Sequence, residues 1–197
     1  MTTYLIAGAA ILGGKPCDIV VADGVIRKIG NGLSGDVRVA AEGCVVLPGL
    51  VDLHTHLREP GREDAETVRS GSRAAAKGGF TAVHAMANTN PVADTAGVVE
   101  QVWRLGQEAG LCDVRPVGAV SRGLEGNALA ELGAMASSAA AVTVFSDDGK
   151  CVSDPLLMRR ALEYVKAFDG VIAQHAQEPR LTEGAQMNEG AVSGRLG

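Results

Sequence analysis

The residues best placed to do chemistry lie in the run His54-Thr55-His56-Leu57-Arg58, which closes an apolar stretch, Val45-Val46-Leu47 then Leu50-Val51. In a strand, side chains at i and i+2 share a face, so His54 and His56 would point the same way, about 7 Å apart along the strand. Two imidazoles on one face can hold a metal ion. Arg58 sets a fixed cationic fork at the same mouth. A metal beside an anion holder points to hydrolysis of a small, negatively charged substrate.

Further polar candidates recur along the chain. Asn88 lies in Met86-Ala87-Asn88-Thr89-Asn90-Pro91, Asp147 and Asp148 in Phe145-Ser146-Asp147-Asp148-Gly149, and His175 in Gln174-His175-Ala176. A carboxylate between two zinc ions can bridge them, and the aspartate pair offers one. Parity does not choose between Asp147 and Asp148, because the exit of the strand before them is not fixed by pattern. Asp-Asp-Gly read alone is also an ordinary turn. Arg58 and Asn88 suit a substrate carboxylate, one by a charged fork and one by amide hydrogen bonds. Asp52 shares the parity of the two histidines, so it lies beneath the metal or in a structural polar layer. His84 reads as a core histidine or as a group behind the ligands.

The elements that must position these residues fall into two regimes. Residues 1–48 read as short strands joined by turns: Tyr4 to Ala7, Asp18 to Val21, Val25 to Ile29 and Val37 to Val39. Asp23-Gly24 is a hairpin signal between the second and third. From residue 49 the rhythm becomes strand, loop, helix. Strands are expected within 45–56 and over 80–86, 112–117, 140–145 and 171–174, and helices over 63–77, 96–109, 128–137 and 155–168. Pro155 suits a first helical turn, and Gly78-Gly79 and Gly110 suit helix ends. Such alternation predicts an α/β fold with a parallel sheet and crossover helices. Every polar candidate then falls just past the C-terminal end of a strand, where barrel enzymes build their sites. About five βα repeats suffice for a doubly wound open sheet, whereas a closed barrel needs eight. Length favours the open sheet; the placement of the polar residues favours a barrel cut short.

Composition narrows the function classes. The 197 residues carry a net charge of −5, which gives no basic footprint for nucleic acid. Hydrophobic residues make up 46% and aromatics 3%, so the core is expected to be aliphatic. No apolar run reaches membrane-spanning length, and the first residues lack the pattern of a secretory signal. Cys17, Cys44, Cys112 and Cys151 form no CxxC pair and are expected to be reduced, mostly buried thiols of a cytoplasmic protein.

The run His54 to Gly61, then Gly78-Gly79-Phe80-Thr81, then Met86 to Pro91, then Phe145 to Gly149, then Gln174-His175-Ala176 together resemble the N-terminal half of class I dihydroorotase, of the amidohydrolase superfamily. The resemblance covers almost the whole chain and keeps the family's order. It implies a composite N-terminal β-sandwich, to which residues 1–48 contribute, and a metal-dependent (β/α)8 TIM barrel, whose first part is residues 49–197 and which is truncated after about five βα units. It implies zinc, as a pair of ions, bound by His54, His56, Asp148 and His175, with Asp148 shared, and a substrate carboxylate held by Arg58 and Asn88. The implied reaction is reversible closure of N-carbamoyl-L-aspartate to L-dihydroorotate in pyrimidine biosynthesis. Dihydropyrimidinases, hydantoinases and allantoinases usually carry a carboxylated lysine at the bridging position. Here Ser146-Asp147-Asp148 stands there and Lys150 lies beyond the turn. Two departures stand out: Gln177 replaces a common Glu, and the family's later histidine ligand and late aspartate base have no counterpart. A second reading is a non-catalytic dihydroorotase-like subunit that binds aspartate carbamoyltransferase, although such subunits usually lose the metal ligands retained here. A third is another cyclic amidohydrolase. A homo-oligomer is compatible with each.

Overall fold

The structure is a computed structural model describing residues 1–197. The chain divides into two compact units, Met1–Gly49 and Leu50–Gly197.

The first unit is a five-stranded sheet of β1 (Thr3–Ile11), β2 (Pro16–Ala22), β3 (Val25–Gly30), β4 (Val37–Ala40) and β5 (Val45–Val46). β1 is central: it pairs antiparallel with β2 and parallel with β4 and β5. β2 and β3 form the expected hairpin through Asp23 (φ 50°) and Gly24 (φ 71°). Positive φ at both turn residues is the geometry whose twist matches the flanking strands. Register places Tyr4, Val21, Ile26 and Val37 side by side, and likewise Ile6 with Val39 and Ile19 with Ile29. These positions make one face of the sheet mainly aliphatic and aromatic, and Tyr4, Ile26, Ile29, Val37 and Val39 stay exposed on it.

The second unit alternates strand and helix: β6 (Leu50–Thr55), α1 (Val68–Lys77), β7 (Phe80–Ala85), α2 (Ala96–Ala109), β8 (Asp113–Pro116), α3 (Leu132–Ala136), β9 (Val144–Phe145), α4 (Pro155–Val165) and β10 (Val171–Ile172), then short helices α5 (Pro179–Thr182) and α6 (Ala191–Leu196). β6, β7 and β8 are parallel neighbours in that order, and β9 pairs parallel with β10. Gly118, just beyond β8, bridges Phe145 of β9: its N–H donates to the Val144 carbonyl (3.0 Å), and its carbonyl accepts from Ser146 (2.8 Å). The five strands thus follow one another in sequence order, all parallel. Val83, Val114 and Val68 pack in one buried cluster with Leu57, and Phe145, Leu132, Met135 and Val99 in another. No helix is long and apolar enough to cross a membrane.

Several elements are shorter than their patterns suggest. The segment 45–56, expected to contain one strand, holds two in different units, separated by Leu47-Pro48-Gly49, where proline has no N–H for a ladder. The helix expected from Glu63 starts at Val68. The Arg62 carbonyl closes a turn by accepting from Ala65 and Glu66, and Thr67 is extended and caps α1 reciprocally with Ser70. The helix expected from Ala128 starts at Leu132, since the Ala128 carbonyl and the Ala130 N–H bond to Arg122 and Val120. The fourth strand keeps only Val144–Phe145, because Ala141 has φ 46° and Val142 bonds back to Met135. The four cysteines are free, as expected, but none is buried, and Cys44 is exposed.

Candidate metal centre

β6 delivers His54 and His56 by a less regular route than simple alternation. Between Asp52 and Thr55 it advances three residues while β7 advances two, from Val83 to Ala85. This is a bulge. The His54 N–H, freed from the ladder, donates to Asp52 Oδ1 at 3.0 Å, which makes Asp52 a support for the histidine backbone. The two imidazoles lie edge to face with centroids 5.2 Å apart. Thr55 ties the strand end to β7 by donating from Oγ1 to the His84 carbonyl (2.8 Å).

Both rings converge on Asp148. Its Oδ2 is 3.3 Å from His54 Nε2 and 3.5 Å from His56 Nε2, and its Oδ1 is 3.2 Å from His175 Nδ1. The carboxylate therefore turns one oxygen to the β6 histidines and the other to the histidine past β10. Ligand atoms bonded to one zinc at about 2.0–2.2 Å lie about 3.3–3.6 Å apart along a tetrahedron edge. The observed separations fit such edges better than the 2.9–3.0 Å at which N–H···O bonds most often fall. His54, His56 and Asp148 present one ligand atom each, all within 4.8 Å of one another. Asp148 is only 7% exposed and has no lysine or arginine partner. A buried carboxylate flanked only by imidazoles lacks a permanent counter-charge, and a divalent cation would supply it. The donor set, three imidazole nitrogens and a carboxylate, is one that zinc takes.

The neighbouring Asp147 does different work. It is 1% exposed, and its Oδ1 accepts from the N–H groups of Val120 (2.8 Å) and Ser121 (3.0 Å), while Oδ2 accepts from the Ser121 hydroxyl. It anchors the loop after β8 and leaves Asp148 as the aspartate that faces the histidines.

Asn88 is drawn into the centre from the end of β7. Its Oδ1 lies 3.0 Å from His56 Nδ1. An amide oxygen only accepts, so this contact, shorter than the 3.5 Å from Nε2 to Asp148, favours the ring proton on Nδ1 and leaves Nε2 to face the ligand cluster. The Asn88 amide NH2 makes no hydrogen bond within the chain and stays available to another acceptor. His175 is arranged in the opposite sense: Nδ1 faces Asp148 and Nε2 lies 3.2 Å from Gln177 Oε1. Gln174 clamps the strand end beneath it, accepting from the Val152 N–H (3.2 Å) and donating to the Val152 carbonyl (3.0 Å).

Arg58 forms no hydrogen bond or ion pair with these residues; it is exposed and has φ 62°. A non-glycine residue there carries strain of a kind that clusters at functional sites. The loops bearing Arg58 and Asn88 are fastened to each other, since Asn90 N–H donates to the Pro60 carbonyl (3.0 Å). Gly61, at φ 99°, packs so close that a Cβ there would fall on the Asn90 carbonyl oxygen. His84 stays apart: its Nδ1 is buried without a partner. Asp147 and Gln174 act over contacts to residues more than twenty positions away, which no local pattern reveals.

Solved structures place this architecture. The L-hydantoinase (dihydropyrimidinase) from Arthrobacter aurescens superposes with a TM-score of 0.69 at 21% identity, over 87% of this chain and 40% of that one. The D-hydantoinase from a Bacillus sp. AR9 gives 0.61 at 20% identity, over 92% and 43%. At this identity the likeness is one of fold: a mixed α/β fold shared with the hydantoinases. Sequence goes further. Residues 43–197 match the family described as Dihydro-orotase-like, and the chain belongs to that family. It is 71% identical over 199 residues to the dihydroorotase of Streptomyces coelicolor and 58% identical over 200 residues to that of Mycobacterium tuberculosis. The chain spans 46% of the length of each of these relatives.

Proposed function

We propose that these residues are the metal-gripping side of a dihydroorotase-type zinc centre that interconverts N-carbamoyl-L-aspartate and L-dihydroorotate. The observation that carries this reading is Asp148, with one oxygen on His54 and His56 and the other on His175, the disposition a carboxylate needs to join a pair of ions. An ion bound there supplies Lewis-acid polarisation of an amide carbonyl and activation of water at neutral pH. The chain's own residues do the rest. His56 is held by Asn88 with Nε2 bare, Asp148 offers compensating negative charge, and the Asn88 amide and the unpaired Arg58 guanidinium bind and orient the substrate carboxylate. The aspartate base that the family resemblance implies is not among these residues, so turnover requires a proton acceptor beyond them.

The same reading assigns residues 1–48 to a composite β-sandwich and residues 49–197 to the first five βα units of a (β/α)8 barrel. An exposed apolar sheet face on the first unit supports a second packed layer. Five parallel strands in unbroken sequence order support the barrel, since a doubly wound sheet reverses its order at a switch point. A hydantoinase-like centre is less well supported. Asp148 lies among the histidines, whereas Lys150 is exposed, its backbone N–H bonded to Asp147. The test is turnover of dihydroorotate against hydantoin by zinc-loaded protein carrying this chain. Hydrolysis of dihydroorotate that is lost in the Asp148→Asn variant supports the reading, and preference for hydantoin contradicts it.

A further inference from the structure

The two side-chain amides at the centre stand in mirrored positions, and only one has a role so far. Asn88 Oδ1 faces the Nδ1 of His56, whose Nε2 meets Asp148. Gln177 Oε1 faces the Nε2 of His175, whose Nδ1 meets Asp148. In each imidazole the amide oxygen sits on the nitrogen that does not face the shared carboxylate. We infer that Gln177 is a positioning residue that fixes His175 as its Nε2–H tautomer and so aims the bare Nδ1 at the metal position beside Asp148 Oδ1.

The physical ground is that both ring neighbours, Asp148 Oδ1 and Gln177 Oε1, only accept, so the single proton of a neutral imidazole falls to the Gln177 side once an ion at Nδ1 takes the Asp148 side. Free neutral histidine exchanges between two tautomers, and the hydrogen bond made by one ring nitrogen decides which lone pair the other presents. A carboxamide oxygen cannot donate, so at 3.2 Å it accepts the Nε2–H that a His175 holding an ion through Nδ1 would carry. His175 needs this help because its strand is short: β10 ends at Ile172, and Ala176 and Gln177 are exposed. The Gln177 N–H donates to the His175 carbonyl at 2.8 Å, which folds the segment back and brings the amide onto the ring. A glutamine does this without charge. A glutamate would make the same contact with a full negative charge, strengthening the imidazole as a donor and tightening the metal further.

The inference rests on His175 being a ligand, and the experiment separates the two claims. Imidazole 15N–1H correlation spectra of the zinc-loaded protein report the Nε2–H of His175 and its exchange with solvent, and Zn²⁺ titration against a chromophoric chelator reports affinity. Expected are a protected Nε2–H on His175 in the zinc-loaded wild type, loss of that protection in Gln177→Leu with zinc bound about 10-fold or more weakly at the weaker site, and restoration of both in Gln177→Glu. A Gln177→Leu protein with wild-type protection of the Nε2–H and wild-type affinity overturns the inference while leaving the metal centre standing. A His175→Ala protein that binds as much zinc as the wild type overturns His175 as a ligand, and the inference with it.

Discussion

Adjacent aspartates with opposite duties give a sharp prediction. Asp147→Ala removes a carboxylate that accepts from two backbone N–H groups and one hydroxyl at buried residues, Val120 (1% exposed) and Ser121 (fully buried). Each buried donor left without a partner costs about 1–3 kcal/mol. The Ser121 hydroxyl keeps its bond from the Gly126 N–H and can turn its own proton elsewhere, so the two backbone N–H groups dominate and the sum is about 2–6 kcal/mol. That is a large part of the about 5–15 kcal/mol that holds a typical domain together. With a urea slope of about 2 kcal/mol/M, a loss near 4 kcal/mol moves the unfolding midpoint down by about 2 M. Asp147→Asn keeps an oxygen for the two N–H groups and should cost about 1–2 kcal/mol, the loss of charge assistance. Asp148→Asn is the counterpart. Its side chain accepts from no backbone N–H, so the metal-free protein should unfold within about 0.5 kcal/mol of wild type, or later, while zinc binding collapses. Urea unfolding of metal-free protein and zinc titration, run on all three variants, check both halves. The reasoning fails if Asp147→Ala costs less than about 1 kcal/mol, or if Asp147→Asn loses zinc while Asp148→Asn retains it.

Other predictions follow from the supporting contacts. Gly61→Ala forces a Cβ against the Asn90 carbonyl at φ 99°; it should destabilise by about 1–3 kcal/mol in urea unfolding and raise KM more than it lowers kcat, since it disturbs the loops of Arg58 and Asn88. Thr67→Ala removes half of a reciprocal cap on α1 and should cost about 1 kcal/mol, read as a lower Tm. In the first unit, backbone N–H groups of Leu33 and then Gly8 hold the Asp18 carboxyl below its ordinary 3.8, and Thr3 does the same for Asp36. A lowered folded value means that the stabilisation is present above pH 3.8 and is lost as pH falls through and below it. Acid titration followed by β-sheet circular dichroism should show that loss, and Asp18→Asn should flatten it; a profile unchanged in Asp18→Asn would contradict this cause.

How legible this was in the sequence depended on distance along the chain. The hairpin at Asp23-Gly24, α2 with Gly110 past its end, and α4 behind Pro155 were readable because turn residues, caps and period act within a few positions. The strand expected over 140–145 shrank because Ala141 and Val142 answer to Met135 on the preceding helix, a tertiary contact that β propensity cannot register. At the centre, His-x-His announced itself, but alternation alone misdescribed how the pair is delivered, since the bulge at Asp52–Thr55 and the strand end intervene. Parity could not separate Asp147 from Asp148 and only the resemblance named Asp148; in the structure Val120 and Ser121 reach Asp147 from more than twenty residues upstream, and Asp148 is the one that faces the histidines. Asn88 was legible as a polar group at a strand end; its hold on His56 was not, because it depends on β6 and β7 lying side by side.

The most direct test of the account is the zinc content and coordination of purified protein carrying this chain, measured by elemental analysis and zinc-edge X-ray absorption on wild type, His54→Ala and Asp148→Asn. The account predicts nitrogen and oxygen ligands at about 2.0–2.2 Å without sulfur, and stoichiometric zinc that falls sharply in both variants while each remains folded. Zinc bound through sulfur, or bound undiminished when His54 and Asp148 are replaced, would contradict it.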